Sequence, residues 1–384
     1  MRQHVIKNGI VDGVRSGPMI AVRGQTGSGR DMADQVASSV GRIGSILAEL
    51  GGRPQDLTKL LIAFDGASGL SARQMLDLTA RALPRDVVTT ATAVPRPYMR
   101  RSDTLVEIEA IAMSGFTRQA VVIDRLEILP DRFVHGVRAG EMIWLSGQTA
   151  TDHDGRVRHP GDIVAQSHVV MDGLGSVLER FGAGFDDVVK QHRWGSGTPT
   201  HQAWAPAALA CANRYIEPGP VATGIAVPKE YVGEMFIKVE VTAMLGQDGQ
   251  RLTREHIWPD GHWDWPIHLP YKHGLKCADM IFVGGQVSLD PRAEVVAPHD
   301  MRTQSVNTMR NIETILEGLG AGMRHAVLVT DFYDGSRNAD DAVSNLEVCT
   351  AAFAEPGPVI TLIPSTFRGY NGMMTEIEVV ARLD

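Results

Sequence analysis

Cysteine is scarce in this chain: Cys211, Cys277 and Cys349 are the only three among 384 residues. Three thiols cannot build a disulfide framework and fit a reducing compartment, so the cytoplasm is the expected location. Positive charge is also in deficit, with 37 Lys and Arg against 45 Asp and Glu and a formal net charge of −8. Without a basic stripe to neutralise phosphates, a nucleic-acid partner is not expected. No apolar run approaches the roughly 20 residues needed to cross a bilayer, which argues against a membrane partner. The opening MRQHVIKNGIVDG has no signal-peptide core. The rest is ordinary for globular protein, 43% apolar and 21% charged, with length for two or three domains.

What is present is repetition. MIWLSGQTATDHDG at 142–155 returns as MIFVGGQVSLDPRA at 280–293, a spacing of 138. The same spacing takes His135 to His273, Gln148 to Gln286, Asp162 to Asp300, Gln166 to Gln304, Cys211 to Cys349 and Glu240 to Glu378. One register held without a gap over about a hundred residues is a duplicated unit, not chance. A third, more diverged copy comes first. It carries MIAVRGQTGSG at 19–29 and, from Gln35 onward, runs 131 residues ahead of the middle copy. The expected units are 1–115, 124–246 and 266–384, with connectors 116–123 and 247–265.

Each unit reads alike. A hairpin ends in Gly-Gln, and a helix follows with apolar positions at 43, 46, 47 and 50. The equivalents are 174, 177, 178, 181 and 312, 315, 316, 319, one stripe at helical spacing. Asp31, Asp162 and Asp300 are placed to cap the helix starts, and Gly51, Gly182 and Gly320 to end them. A strand, a second helix (70–83, 200–215, 339–353), a Pro/Gly break and two strands complete an order near ββαβαββ. That order predicts an α+β fold.

AGEMIWLSGQ, GDIVAQ and GAGFDDVVK in copy two, with GGQ, DMRTQ, GLGAG and TEIEVVA in copy three, resemble the RidA (YjgF) family of enamine/imine deaminases. The likeness covers nearly the whole chain in three passes. It implies chorismate-mutase-like domains that close an intramolecular pseudo-trimer, sheets inside and helices outside, with clefts at the seams. It also implies an enzyme that hydrolyses C=N bonds of a small molecule without a cofactor; further pairing into a homodimer stays open.

In the family, the first glutamate of V-E-I-E positions the attacking water. That implies roles for Glu107 and Glu376, while copy two has Lys238 instead. A carboxylate can take a proton from water; a lysine ordinarily cannot unless strongly desolvated. The family's substrate-binding arginine after the Pro-rich break is replaced by Ala222 and Ile360. Arg85 lies near the corresponding place in copy one, and Arg96, Arg100, Arg101 and Arg368 are other cations near the last hairpins. For each arginine, plain surface charge is the stronger reading. The entrance loop implies ligand contacts for His135 and His273, with Asp12 in copy one. A proton-sharing role near neutrality and a hydrogen-bonded structural role stand equally for both histidines. Ser146 corresponds to the serine of S-G-Q, where the other copies have Arg23 and Gly284.

HIWPDGHWDWPIHLPYKHG at 256–274 lacks metal-ligand spacing and is expected to be a packed aromatic connector covering a cleft, not a metal site. RGQTGSGRD lacks the Gly-Lys-[Ser/Thr] of a phosphate loop, so a tight hairpin accounts for its glycines. Cys211 and Cys349 are expected to be buried. Two other functions are open. Cyanuric acid hydrolase and barbiturase are also three-unit chains, and a Ser146/Lys238 pair would stand for their chemistry. A small-ligand-binding protein without turnover is the other.

Overall fold

A computed structural model of the chain describes residues 2–196, 201–227, 234–336, 338–366 and 370–383. The first unit contains β1 (Gln3–Lys7), β2 (Ile10–Ser16), β3 (Met19–Thr26), α1 (Met32–Glu49), β4 (Leu57–Asp65), α2 (Ala72–Ala82), β5 (Thr90–Arg96) and β6 (Val106–Met113). The second has β7 (Arg118–Val121), β8 (Gly136–Ala139), β9 (Met142–Leu145), β10 (Gln148–Thr149), α3 (Ile163–Arg180), β11 (Val188–Gly195), α4 (His201–Ala212), β12 (Val221–Ala226) and β13 (Ile237–Met244). The third has β14 (Arg254–Ile257), β15 (Gly274–Cys277), β16 (Met280–Gln286), α5 (Met301–Gly318), β17 (Ala326–Tyr333), α6 (Ala339–Ala351), β18 (Val359–Pro364) and β19 (Thr375–Arg382). The fold is α+β and occurs three times. Sheet orders are β1-β2-β3-β6-β4-β5, β7-β8-β9-β13-β11-β12 (with β10 on β13) and β14-β15-β16-β19-β17-β18. The β4/β5, β11/β12 and β17/β18 pairs are parallel.

One strand more than expected opens each sheet. The stretches 116–123 and 247–265, expected as connectors, carry β7 and β14, which pair antiparallel with β8 and β15. Both are only four residues long, Arg-Gln-Ala-Val and Arg-Glu-His-Ile, and neither shows the alternation that marks a strand.

The helix signals act as their residue types dictate. Asp31, Asp162 and Asp300 each accept a backbone N–H from the first turn. Gly51, Gly182 and Gly320 close the same helices at φ of 70°, 73° and 74°, a backbone region that side chains with a Cβ resist. All twelve stripe residues are buried under their own sheet. Gln35, Gln166 and Gln304 tie each first helix to the segment before the last strand, accepting from the N–H of Leu105, Phe236 and Met374 at 2.8 Å.

The sheet faces away from the helices meet one another. A core cluster joins Met19 and Ile111 to Met142 and Trp144 and to Phe282 and Leu328, so all three units contribute. Sheets lie inside and helices outside. Charges are also buried at this junction. Lys190 of the second unit bonds Glu378 of the third at 2.6 Å, and Lys59 of the first pairs with Glu240 of the second. The third unit has Leu328 at the lysine position. Glu109 therefore faces a neighbour with no ammonium and accepts instead from the Thr330 hydroxyl at 3.1 Å. Burial pushes its carboxyl up to about 7.

Candidate active site

The seams repeat one contact. The glycine of each Gly-Gln turn donates its N–H to a threonine hydroxyl of the preceding unit. Gly147 reaches Thr92 at 3.1 Å, Gly285 reaches Thr223 at 3.0 Å, and Gly24 reaches Thr361 at 2.9 Å. The last contact joins the first unit to the third and closes the ring. The expected glutamates lie directly over two of these turns. A Cβ on Gly24 would fall 2.2 Å from Oε1 of Glu107, and one on Gly285 would fall 2.0 Å from Oε1 of Glu376. Only glycine leaves room for those carboxyls.

One seam opens into a cleft of about 140 Å³, between the second and third units. Glu376 lines it and accepts the Gly224 N–H at 3.4 Å. Burial pushes this carboxyl up to about 8, only partly offset by the Gly224 amide and the Arg193 charge. Arg193 of β11 lines the same cleft, half-buried. Among the described residues its guanidinium has no hydrogen-bond or ion-pair partner. It lies along two glycines: a Cβ on Gly224 would come 3.2 Å from Nη2, and one on Gly195 would come 3.4 Å from Nη1. Ser196 and Tyr370 add hydroxyls that lack partners among the described residues.

The floor and roof are aromatic. Gln191 donates to the Tyr271 hydroxyl at 2.9 Å and accepts from that of Tyr215 at 2.8 Å, fixing the floor. Trp263 and Trp265 of the Trp-rich segment cover the cleft, as its composition led us to expect. Trp263 is held by its indole N–H to Gln286 at 3.2 Å, and its carbonyl accepts from His273 at 3.0 Å. Trp265 stacks on the His273 ring at 5.3 Å. No group of three or more His, Cys, Asp or Glu among the described residues is arranged to hold a metal ion.

The other expected site residues lie elsewhere or are already engaged. Glu107 sits at the seam of the first and third units near Arg23 and Arg100, with its carboxyl pushed up to about 7 by burial. Lys238 donates to the Ala93 carbonyl at 2.7 Å, and burial lowers its ammonium to about 8. Ser146 spends its hydroxyl on backbone, donating to Val134 at 2.7 Å and accepting from Ala91 at 3.0 Å. It makes no bond to Lys238 among the described residues, so the two do not form a nucleophile–base pair. His135 accepts from the Ile123 N–H at 3.0 Å and donates to the Glu127 carbonyl at 3.1 Å. His273 is likewise engaged at both nitrogens, by Trp263 and by Gln286 at 3.3 Å. Both imidazoles are thus held by protein partners on each ring nitrogen. Arg85 is exposed on the turn after α2, not in a cleft. Arg96 is buried over the Trp194 ring, Arg101 pairs with exposed Asp103 at 2.9 Å, and Arg368 lies outside the described residues. Asp12 pairs with Arg23 at 2.6 Å, and Cys211 and Cys349 are buried.

The sequence pattern of the family described as Endoribonuclease L-PSP matches twice, over residues 128–243 and 266–383, more than half of the chain. The chain belongs to this family. A RutC family protein of Pyrococcus abyssi is 29% identical over 112 residues, 29% of this chain and 85% of its own. A Pyrococcus horikoshii relative of the same family is 26% identical over 112 residues, 29% and 86% of the two chains. Among solved structures, a chorismatase superposes over 85% of this chain and 93% of its own, with a TM-score of 0.57 at 12% identity. That likeness concerns fold. The tandem RidA/YjgF arrangement read from the repeats is therefore a property of the chain.

As an L-PSP family protein the chain departs from pattern in the cleft, and there the sequence reading missed Arg193. The signal was present. Arg193 stands at a strand position filled by Ile62 in copy one and Asp331 in copy three, a position at which the three copies disagree in charge. The missing family arginine has a physical counterpart as well. The backbone at Ala222 lies close against the third unit, so that a Cβ on Gly284 would meet the Ala222 carbonyl at 2.8 Å.

Proposed function

We propose that the cleft between the second and third units hydrolyses the C=N bond of a small imine or enamine that bears a carboxylate. The observation that carries this reading is the presence in one cleft of Glu376, whose carboxyl burial pushes up to about 8, and of Arg193, whose guanidinium has no hydrogen-bond or ion-pair partner among the described residues. A guanidinium binds a carboxylate through two parallel hydrogen bonds, and Arg193 takes over that task from the neighbouring strand. Family membership supports a small-molecule activity of RidA type, and the ring of three units supplies the pseudo-trimer whose seam forms the cleft.

In this scheme Glu376 enters as the neutral acid. It gives its proton to the enamine carbon, or to the imine nitrogen, and leaves an iminium beside a carboxylate. Water then adds to the iminium carbon and returns a proton to Glu376. Passing that proton to nitrogen lets the C–N bond break while the hydroxyl proton returns to Glu376, which releases ammonia or an amine with the carbonyl product and restores the acid. A group whose affinity for protons lies near working pH serves both steps. The test is direct: imines generated in situ, with carbonyl product followed for wild type and Glu376→Gln. Equal rates would defeat the proposal, and tight binding of a carboxylate without turnover would favour a ligand-binding protein instead.

A further inference from the structure

We propose that this cleft selects a carboxylate carried on a planar, conjugated six-membered ring, an inference that rests on the cleft's assignment as the substrate site. Its size sets the first limit. About 140 Å³ is close to the apolar cavity of roughly 150 Å³ known to admit a benzene molecule. A ring with one carboxylate reaching toward Arg193 fills it; a three-carbon acid leaves most of it empty.

The walls set the second limit. Trp204, Trp263, Trp265 and Tyr271 all line this cleft. Trp263 and Trp265 meet edge to face at 5.1 Å, so together they present both a ring face and a ring edge. Flat conjugated rings gain from such surfaces beyond the area they bury. The aromatic lining belongs to this seam. The residue equivalent to Trp204 is Arg73 in the first unit and Ala342 in the third. In the second unit's entrance loop, the carbonyl that accepts from the structural histidine belongs to Glu127, whereas in the third it belongs to Trp263.

Charge sets the third limit. Arg193 has no protein counter-ion among the described residues, which suits one anionic group on the ligand. Glu376, protonated near neutrality, does not repel that anion. The ring's remaining edge would then face Tyr370 and the Glu376 carboxyl.

The test is a tryptophan-fluorescence titration of the full chain, which holds six tryptophans. The probes are benzoate, cyclohexanecarboxylate, propionate and uncharged benzyl alcohol. Benzoate is expected to saturate the signal with affinity about tenfold or more above cyclohexanecarboxylate, since only a flat ring stacks. Arg193→Gln should weaken benzoate about tenfold or more, because a charged hydrogen bond is lost, while benzyl alcohol is unchanged. Trp204→Leu should erase the preference for benzoate over cyclohexanecarboxylate, with near-ultraviolet circular dichroism confirming that both variants fold. Equal affinity for benzoate and propionate, or no carboxylate binding at all, would overturn the inference. Benzoate binding in a protein that turns over no imine would support the ring pocket and defeat C=N hydrolysis. Efficient turnover of an alanine-derived imine, with no ring preference, would do the reverse.

Discussion

Arg193 and Glu376 belong to different units, yet both side chains lie against Gly224. Its N–H reaches Oε1 of Glu376 at 3.4 Å, and a methyl placed there would stand 3.2 Å from Nη2 of Arg193. Gly224→Ala should therefore move the guanidinium while leaving the fold intact. Its φ is not in the left-handed region, so alanine fits the backbone. In an imine assay, KM is expected to rise about tenfold with a smaller change in kcat, as when positioning contacts are lost.

The proton on Glu376 gives a pH signature. Its carboxyl is held up to about 8 by burial. The acid form is required in the first step, so kcat/KM should be level below that value and fall as pH rises through it. A rate that climbs steadily from pH 7 to 9 would contradict the role.

Stability should also fall with pH. Burial raises Glu107 and Glu109 to about 7, so the folded chain keeps protons that the unfolded chain loses near pH 4–5. A raised folded value stabilises fully below the unfolded range, and that contribution is lost as pH climbs from about 5 through 7. Glu109→Gln should raise the unfolding midpoint at pH 8 and change it little at pH 5, as read by calorimetry at both.

The missing lysine at the junction makes a sharper case. Leu328→Lys would place an ammonium toward Glu109, the arrangement that Lys190 and Glu378 already make. Leu328→Lys is expected to cost about 1–3 kcal/mol more in a Glu109→Gln background than with Glu109 present. Denaturant unfolding of the four proteins at pH 8 measures that difference.

Much of this architecture was legible in the residues, because helix stripes, caps and C-terminal glycines are local signals that recur in register. Asp31, Asp162 and Asp300 cap where their types and positions require. The edge strands β7 and β14 were not legible, since four residues without a clear alternation gain strand structure only from the neighbour they pair with. At the site, Glu376 was found through the family motif. His135, His273 and Ser146 were also named, but the backbone groups that engage them come from distant loops and leave no mark at their own positions. Arg193 and the Trp204 wall become meaningful only when two units face each other across a seam.

The most direct measurement compares Glu376→Gln with Glu107→Gln in one imine-hydrolysis assay, both variants folded. Glu376 lines the open cleft beside Arg193, and Glu107 sits at another seam. Glu376→Gln is expected to lower kcat/KM by about 100-fold or more, the usual scale for losing an acid–base group, with Glu107→Gln near wild type. The opposite ranking, full activity in Glu376→Gln and loss in Glu107→Gln, would contradict the assignment of the working cleft.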